Sequence, residues 1–191
     1  MADFTDALDD RLQAFIAEQA IFFVATAPRQ GRINLSPKGM DTLRCLGPRR
    51  VAYLDFTGSG NETAAHLRDD GRLTLMLCSF GTKPLILRLY GRGSIVRPRD
   101  AAWAELGGHF EMQPGVRQIV VLDIESVQTS CGYAVPRYEL REERETLTRW
   151  ADKKGPDGIA EYQRRHNVTS IDGLPTGLLV GEPDDTDETD S

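Results

Sequence analysis

The chain is predicted to fold as a mainly β protein, an antiparallel barrel or sandwich with flanking helices. Three observations predict it. Six segments carry the short, β-favouring or alternating pattern of strands. Most are joined by short turns, whereas a doubly wound sheet would need a helix after nearly every strand. Helical spacing is confined to the two ends and to two interruptions between strands.

Leu8, Leu12, Phe15 and Ile16 recur at helical spacing behind Asp3 and Thr5 as caps, which predicts an amphipathic helix over 5–19. Ile21-Phe22-Phe23-Val24 then changes the period and reads as a first strand. The turn signal Pro28-Arg29-Gln30-Gly31 separates it from a second, Arg32 to Lys38. Val51 to Phe56 is the third. Leu73, Leu75 and Leu77 alternate with Thr74, Met76 and Cys78 in the fourth. Leu85, Leu87 and Leu89 alternate with Ile86, Arg88 and Tyr90 in a fifth that runs on to Val96, and a sixth spans 117–129. Helices are predicted near 61–69, near 99–106 and again from about 143, where Leu147, Trp150 and Ala151 precede Ile159 and Tyr162. Both tryptophans, Trp103 and Trp150, lie on these helical patterns and are expected to pack rather than stack on a ligand.

A length of 191 residues suits one domain with appendages: residues 1–175 as the domain, with the barrel at about 20–130 and a helical extension over 140–175, and an acidic, disordered tail over 176–191. The net charge of −6 belongs to that tail. Residues 181–191 hold six acidic side chains and no basic one, and the rest balances 23 basic against 23 acidic groups. With no basic patch, nucleic acid is a poor partner. No apolar run approaches the roughly 20 residues of a membrane-spanning helix. Acids at 3, 6, 9 and 10 have the wrong sign for a signal peptide, so a cytoplasmic location is the expectation. Cys45, Cys78 and Cys131, and the scattered His66, His109 and His166, suggest neither a disulfide framework nor a metal site.

The most informative segment is Asp55-Phe56-Thr57-Gly58-Ser59-Gly60-Asn61-Glu62-Thr63, a strand end, a glycine-rich turn and a helix start. Ser59 with Glu62 makes a capping box. Free backbone N–H groups there form a natural phosphate seat, to which Ser59, Asn61 and Thr63 add donors. Upstream, Ser36-Pro37-Lys38-Gly39 sets a cation at a strand end; a phosphate of about −1.5 to −2 charge wants one. Downstream, Arg88 stands inside Leu87-Arg88-Leu89-Tyr90-Gly91 and needs a partner if buried. Taken singly, these also read as a capped turn, a solvated lysine and an outward-facing arginine.

In this order the segments resemble the pyridoxamine 5′-phosphate oxidase-like FMN-binding split barrels, over about residues 10–130. The resemblance implies a six-stranded antiparallel Greek-key split β-barrel that dimerises, with flavin mononucleotide (FMN) at the subunit interface. It implies that the strand carrying Asn34, Ser36 and Lys38 lines the flavin ring and ribityl chain, followed by Leu54 and Asp55. Ser59, Gly60, Asn61 and Thr63 would hold the phosphate end, with Lys38 or Arg88 as countercharge. Substitution of Lys38 or Asn61 by alanine is then expected to weaken flavin retention without unfolding. Gly60 and Asn61 stand where the best-known oxidases carry basic residues. The chain also lacks their Trp- and Arg-rich ending, so vitamin B6 oxidation is not expected. Ser130 and Cys131, at the end of the barrel, could line a substrate pocket. The expected activity is an FMN-dependent oxidoreductase using a small molecule and a reduced nicotinamide. The alternatives are a non-enzymatic flavin-binding or sensing protein, and a split barrel holding deazaflavin or haem.

Overall fold

A computed structural model describes residues 2–179. In chain order it contains β1 (Asp3–Thr5), α1 (Asp10–Ala17), β2 (Phe22–Thr26), β3 (Asn34–Lys38), β4 (Leu43–Gly47), β5 (Arg50–Phe56), α2 (Glu62–Asp69), β6 (Arg72–Cys78), β7 (Ile86–Val96), α3 (Trp103–Gly107), β8 (Val116–Ser130) and α4 (Thr146–His166). One antiparallel sheet runs in the order β3-β2-β6-β7-β8-β5-β4, and β1 is paired to β8 off that path. The hairpin-linked neighbours β6, β7 and β8 with β5 beside the last form a Greek key. The sheet coils into a split barrel whose edges, β3 and β4, are not hydrogen-bonded to each other.

The sheet has eight strands where six were expected. The two extra ones carry no alternating signal. All five residues of β4 are half-buried on both faces, because β4 is an edge strand paired only with β5. β1 has three exposed residues held by main-chain pairing to Val127, Gln128 and Thr129. It overlaps the predicted first helix only at Thr5. That helix opens at Asp10 instead, capped by Asp9, whose Oδ1 accepts from the Leu12 N–H at 2.7 Å.

The main core lies inside the barrel. Leu73, Leu75 and Leu77 of β6 meet Leu87 and Leu89 of β7, Phe22 and Val24 of β2, Val51 and Tyr53 of β5, and Val120 and Leu122 of β8. Each such side chain contributes about 1.5–3 kcal/mol by leaving water. Leu8, Leu12 and Ile16 bring α1 onto the same cluster at the Phe22 end of β2. At the Thr26 end sits α2, with Thr26 Oγ1 and His66 Nδ1 3.0 Å apart. A smaller core on the other face of β5 and β8, built on Ala52, Leu54, Ile119 and Val121, is covered by Trp103 and Leu106 of α3. In α4, a turn at Gly155 with positive φ (67°) precedes Pro156. The kink folds Tyr162 back onto Trp150, ring centroids 5.1 Å apart. No helix among the described residues is long and apolar enough to cross a membrane.

After α4 the chain returns as a strap. Asn167 and Thr176 are fully buried, and the Thr169–Pro175 bridge closes a small loop. Arg97 and Arg99 donate to the carbonyls of Thr176, Gly177 and Leu178. Residues 176–179 are therefore part of the folded body, and the predicted tail boundary at 176 is too early; residues 180–191 lie outside the described residues.

Candidate functional site

Strand β3 is polar where its neighbours are apolar. Directly paired residues share a face, and Thr26, Val24 and Phe22 of β2 pair with Asn34, Ser36 and Lys38. The barrel interior therefore receives an amide, a hydroxyl and an ammonium from β3, while Ile33 (77 % exposed) and Leu35 (66 %) face outward. Across the split, Asp55 shares the inward face of β5 with Val51 and Tyr53. Lys38 Nζ donates to Asp55 Oδ1 at 3.0 Å and ties the two sides together.

A polar pocket of about 230 Å³ opens there. It is lined by Asn34, Ser36, Lys38, Asp55, Ser59, Gly60, Asn61 and Thr63 among the predicted residues, with Glu62 and Arg117. Asn34 is held by its Nδ2, which reaches the hydroxyls of Thr26 (3.2 Å) and Thr63 (3.3 Å). Asp55 is 2 % exposed and accepts from three side chains: Lys38 on Oδ1, Arg117 Nη2 (2.7 Å) and Gln118 Nε2 (2.8 Å) on Oδ2. Burial alone would raise the carboxyl pKa. The Lys38 and Arg117 charges outweigh it and hold Asp55 well below the usual carboxylate range. Burial, reinforced by the Asp55 charge, pushes the Tyr53 phenol well above its usual value.

The two cations on Asp55 are not equivalent. Arg117 is 5 % exposed and locked, donating also to the Gly60 carbonyl (3.0 Å) and to Asn167 Oδ1 (2.7 Å). Two cations against one carboxylate leave the site with a net positive charge. Lys38, one quarter exposed on a flexible stem, is the surplus charge and can serve a second anion in the pocket.

Two expectations for the turn are corrected. Ser59 and Glu62 form no capping box: α2 begins at Glu62, its first residue has no side-chain cap, and the Glu62 carboxylate accepts from the Ile171 N–H of the strap. Asn61 lines the pocket with its amide already engaged. Its Nδ2 donates to the Asn167 carbonyl (3.3 Å) and its Oδ1 accepts from Gln118 (2.8 Å). Asn61→Ala would therefore leave buried groups unsatisfied and cost stability. The Ser59 hydroxyl and the N–H groups of the first turn of α2 remain as donors to the pocket.

Leu54 and Arg88 are not brought to this pocket. Leu54 packs into the second core on the opposite face of β5. Arg88 alternates with the buried Leu87 and Leu89 on β7, so it takes the outer face of the sheet, where Nη1 reaches Ser130 Oγ at 3.3 Å. Ser130 ends β8 on that face and the exposed Cys131 follows it. Missing from the sequence reading are Arg117, Gln118 and Asn167. The pair Arg117-Gln118 ahead of the apolar Ile119-Val120-Val121 was a readable signal of buried polar chemistry. Asn167 gave none, yet its Nδ2 holds the Gly58 carbonyl at 3.0 Å and its own carbonyl accepts from Thr176 Oγ1 at 2.7 Å.

Beside the polar pocket runs an apolar groove of about 970 Å³ between the β3 end and the 138–150 segment. Lys38 lines both cavities. Phe80, Tyr138, Leu147 and Trp150 form much of the groove wall.

Comparison with known proteins adds the following. Residues 8–131 match the family model described as pyridoxamine 5′-phosphate oxidase. The pyridoxamine 5′-phosphate oxidase family protein ustO of Aspergillus flavus is 40 % identical over 194 residues, covering 92 % of this chain and 78 % of that protein. Among solved structures, a HupZ variant of Group A Streptococcus superposes with a TM-score of 0.51 at 18 % identity over 64 % of this chain and 98 % of the other. A Lactobacillus delbrueckii protein described as a candidate pyridoxamine 5′-phosphate oxidase gives 0.50 at 22 % identity, over 64 % of this chain and 94 % of its own. At these identities the two structures speak for the fold.

Proposed function

The chain belongs to the pyridoxamine 5′-phosphate oxidase family, and from that premise we propose that it binds FMN as a homodimer and works as an FMN-dependent oxidoreductase on a small molecule. The observation that carries this reading is the meeting of a small polar pocket and a larger apolar groove at Lys38. FMN has the same division: a phosphate and hydroxylated chain at one end, a flat ring at the other.

The donor set suits the polar end. The hydroxyls of Ser36, Ser59 and Thr63, the first-turn N–H groups of α2 and the surplus Lys38 ammonium would hold phosphate and ribityl groups. Arg117 Nε, buried without a partner among the described residues, supports an occupant that brings acceptors. When bound, FMN would supply electron transfer between a donor, proposed as a reduced nicotinamide, and an acceptor. The protein's part would be to hold the phosphate at Lys38, to fix that ammonium against the ionised Asp55 carboxylate, and to shield the ring from water. Oxidation of pyridoxamine 5′-phosphate is not the proposed reaction, since α4 and the strap follow the matched region in place of a Trp- and Arg-rich ending.

Lys38→Met tests the phosphate role. A charge-assisted hydrogen bond contributes about 1.5–3 kcal/mol, so FMN affinity by quenching of flavin fluorescence should fall roughly ten- to a hundredfold. The melting temperature should move little, because Arg117 still pairs with Asp55. Unchanged affinity would place the phosphate elsewhere.

The dimer reading rests on the outward apolar residues Ile33 and Leu35, together with Phe4 (63 % exposed). Native mass is expected at about twice the 21.2 kDa chain. Leu35→Glu should return it to the mass of one chain and release flavin. A monomeric native protein that retains flavin would reject an interfacial site.

A further inference from the structure

We propose that Asn167 and the strap behind it are the positioning element of the phosphate site: they draw the carbonyls of the glycine turn away from the polar pocket and leave its N–H groups to an anion. The inference rests on the flavin reading for the identity of that anion, but its own evidence is the hydrogen bonding of the strap.

The turn Gly58-Ser59-Gly60 has two glycines in three residues, so by itself it has wide conformational freedom. In the fold it is held from one side. Asn167 Nδ2 donates to the Gly58 carbonyl at 3.0 Å. Arg117 Nη1 donates to the Gly60 carbonyl at 3.0 Å and to Asn167 Oδ1 at 2.7 Å. The Asn167 carbonyl accepts from Asn61 Nδ2 at 3.3 Å. One fully buried side chain thus answers both glycine carbonyls, the first directly and the second through Arg117. Both bonds need an amide: aspartate could not donate to Gly58, and an apolar residue would leave Arg117 without its acceptor.

A trans peptide points its C=O and N–H in opposite directions. With the Gly58 and Gly60 carbonyls drawn to Asn167 and Arg117, the N–H groups of Ser59 and Asn61 turn the other way. Neither N–H has a partner among the described residues, and both residues line the pocket, which Asn167 does not. Arg117 Nε, also buried and without a partner there, belongs to the same wall. Three donors without acceptors at one cavity call for an occupant rich in acceptor oxygens.

The strap is anchored on both sides of that cavity. The Ile171 N–H donates to the Glu62 carboxylate at 3.1 Å, and Asp172 accepts from the Arg32 N–H at 2.7 Å just ahead of β3. Gln163 Nε2, one turn before the end of α4, donates to the Thr57 hydroxyl at 2.7 Å. All of these strap groups follow residue 131, outside the segment that matches the family. A turn fixed before the ligand arrives spares the cost of ordering it on binding.

Dependence on the phosphate separates positioning from stability. In the full-length protein freed of bound flavin, FMN should bind at least about a hundredfold more tightly than riboflavin, which lacks the phosphate. Asn167→Ala should cut that ratio about tenfold, with riboflavin affinity held within about twofold. Gln163→Leu, a half-buried change that removes only the tie to Thr57, should cut it about threefold, and it decides the matter if Asn167→Ala does not accumulate. An unchanged ratio, or equal loss of both flavins, overturns the inference and leaves the flavin reading standing. Orthophosphate, followed by phosphorus NMR line broadening, covers the converse. A protein that takes up no flavin but binds orthophosphate, and loses it in the variant, sinks the cofactor and keeps the strap. Binding of no probe at all sinks both.

Discussion

Arg117→Met is expected to destabilise the protein by about 3–5 kcal/mol, the usual consequence of removing one partner of a buried ion pair. The substitution preserves length and apolar stem but deletes the donors to Asp55, Gly60 and Asn167. Asp55 would keep only Lys38 and Gln118 in a site from which water is excluded. For a chain of this size, each kcal/mol shifts the melting temperature by about 2–4 °C, so thermal unfolding should come about 10 °C lower. Adding Asp55→Asn should recover part of the loss, since the uncompensated charge disappears with it; a double variant no more stable than the single one would show that Arg117 acts through packing alone. The pH dependence has a defined sign. The folded Asp55 pKa lies below its unfolded value of about 3.9, so its contribution is present above that value and is lost as pH falls toward the folded one. Denaturant midpoints measured downward from about pH 5 should therefore fall more steeply in the native protein than in Asp55→Asn.

Gly91→Ala is expected to leave little folded protein. Gly91 sits at the irregularity in the β7–β8 pairing, where the register shifts after Tyr90. A Cβ there would overlap the Asp123 carbonyl oxygen and come within 3.0 Å of the Glu125 N–H nitrogen, both main-chain atoms that no rotamer change can move aside. Opening the longest strand pair of the sheet should exceed the about 1–3 kcal/mol of ordinary overpacking, a large part of a total of about 5–15 kcal/mol. Gly58→Ala is the control: its Cβ meets nothing within 4 Å, and that variant should accumulate as soluble protein. Equal soluble yields, with equal midpoints in denaturant, would refute the steric argument.

The strands that could be read in advance either alternate, as β6 and β7 do, or run as continuous apolar segments, as β5 and β8 do because both their faces are buried. Leu73, Leu75 and Leu77 of β6, and Leu87 and Leu89 of β7, announce their face by period alone. β4 could not be read, because an edge strand half-buried on both sides has no alternation to display. Within the site, Leu54 and Asp55 were expected side by side, although successive residues of a strand point to opposite faces. The two-residue period of a strand admits only one of them to the pocket, and the Lys38 hydrogen bond marks it as Asp55 while Leu54 joins the second core. Arg88 followed the same rule to the outer face.

The sequence by itself determined the class of fold, the order of the strands that form the main core, and the two segments, Asn34 to Lys38 and Asp55 to Thr63, that line the polar pocket. Local pattern suffices for these, since periodicity and turn chemistry act over a few residues. Tertiary structure alone decided which charge answers Asp55 and which polar groups shape the turn. Arg117 reaches Asp55 across 62 residues of chain, and Asn167 reaches Gly58 across 109. Such partners are selected by the cost of leaving a buried charge or carbonyl unpaired, and that cost arises only when the folded chain has excluded the water.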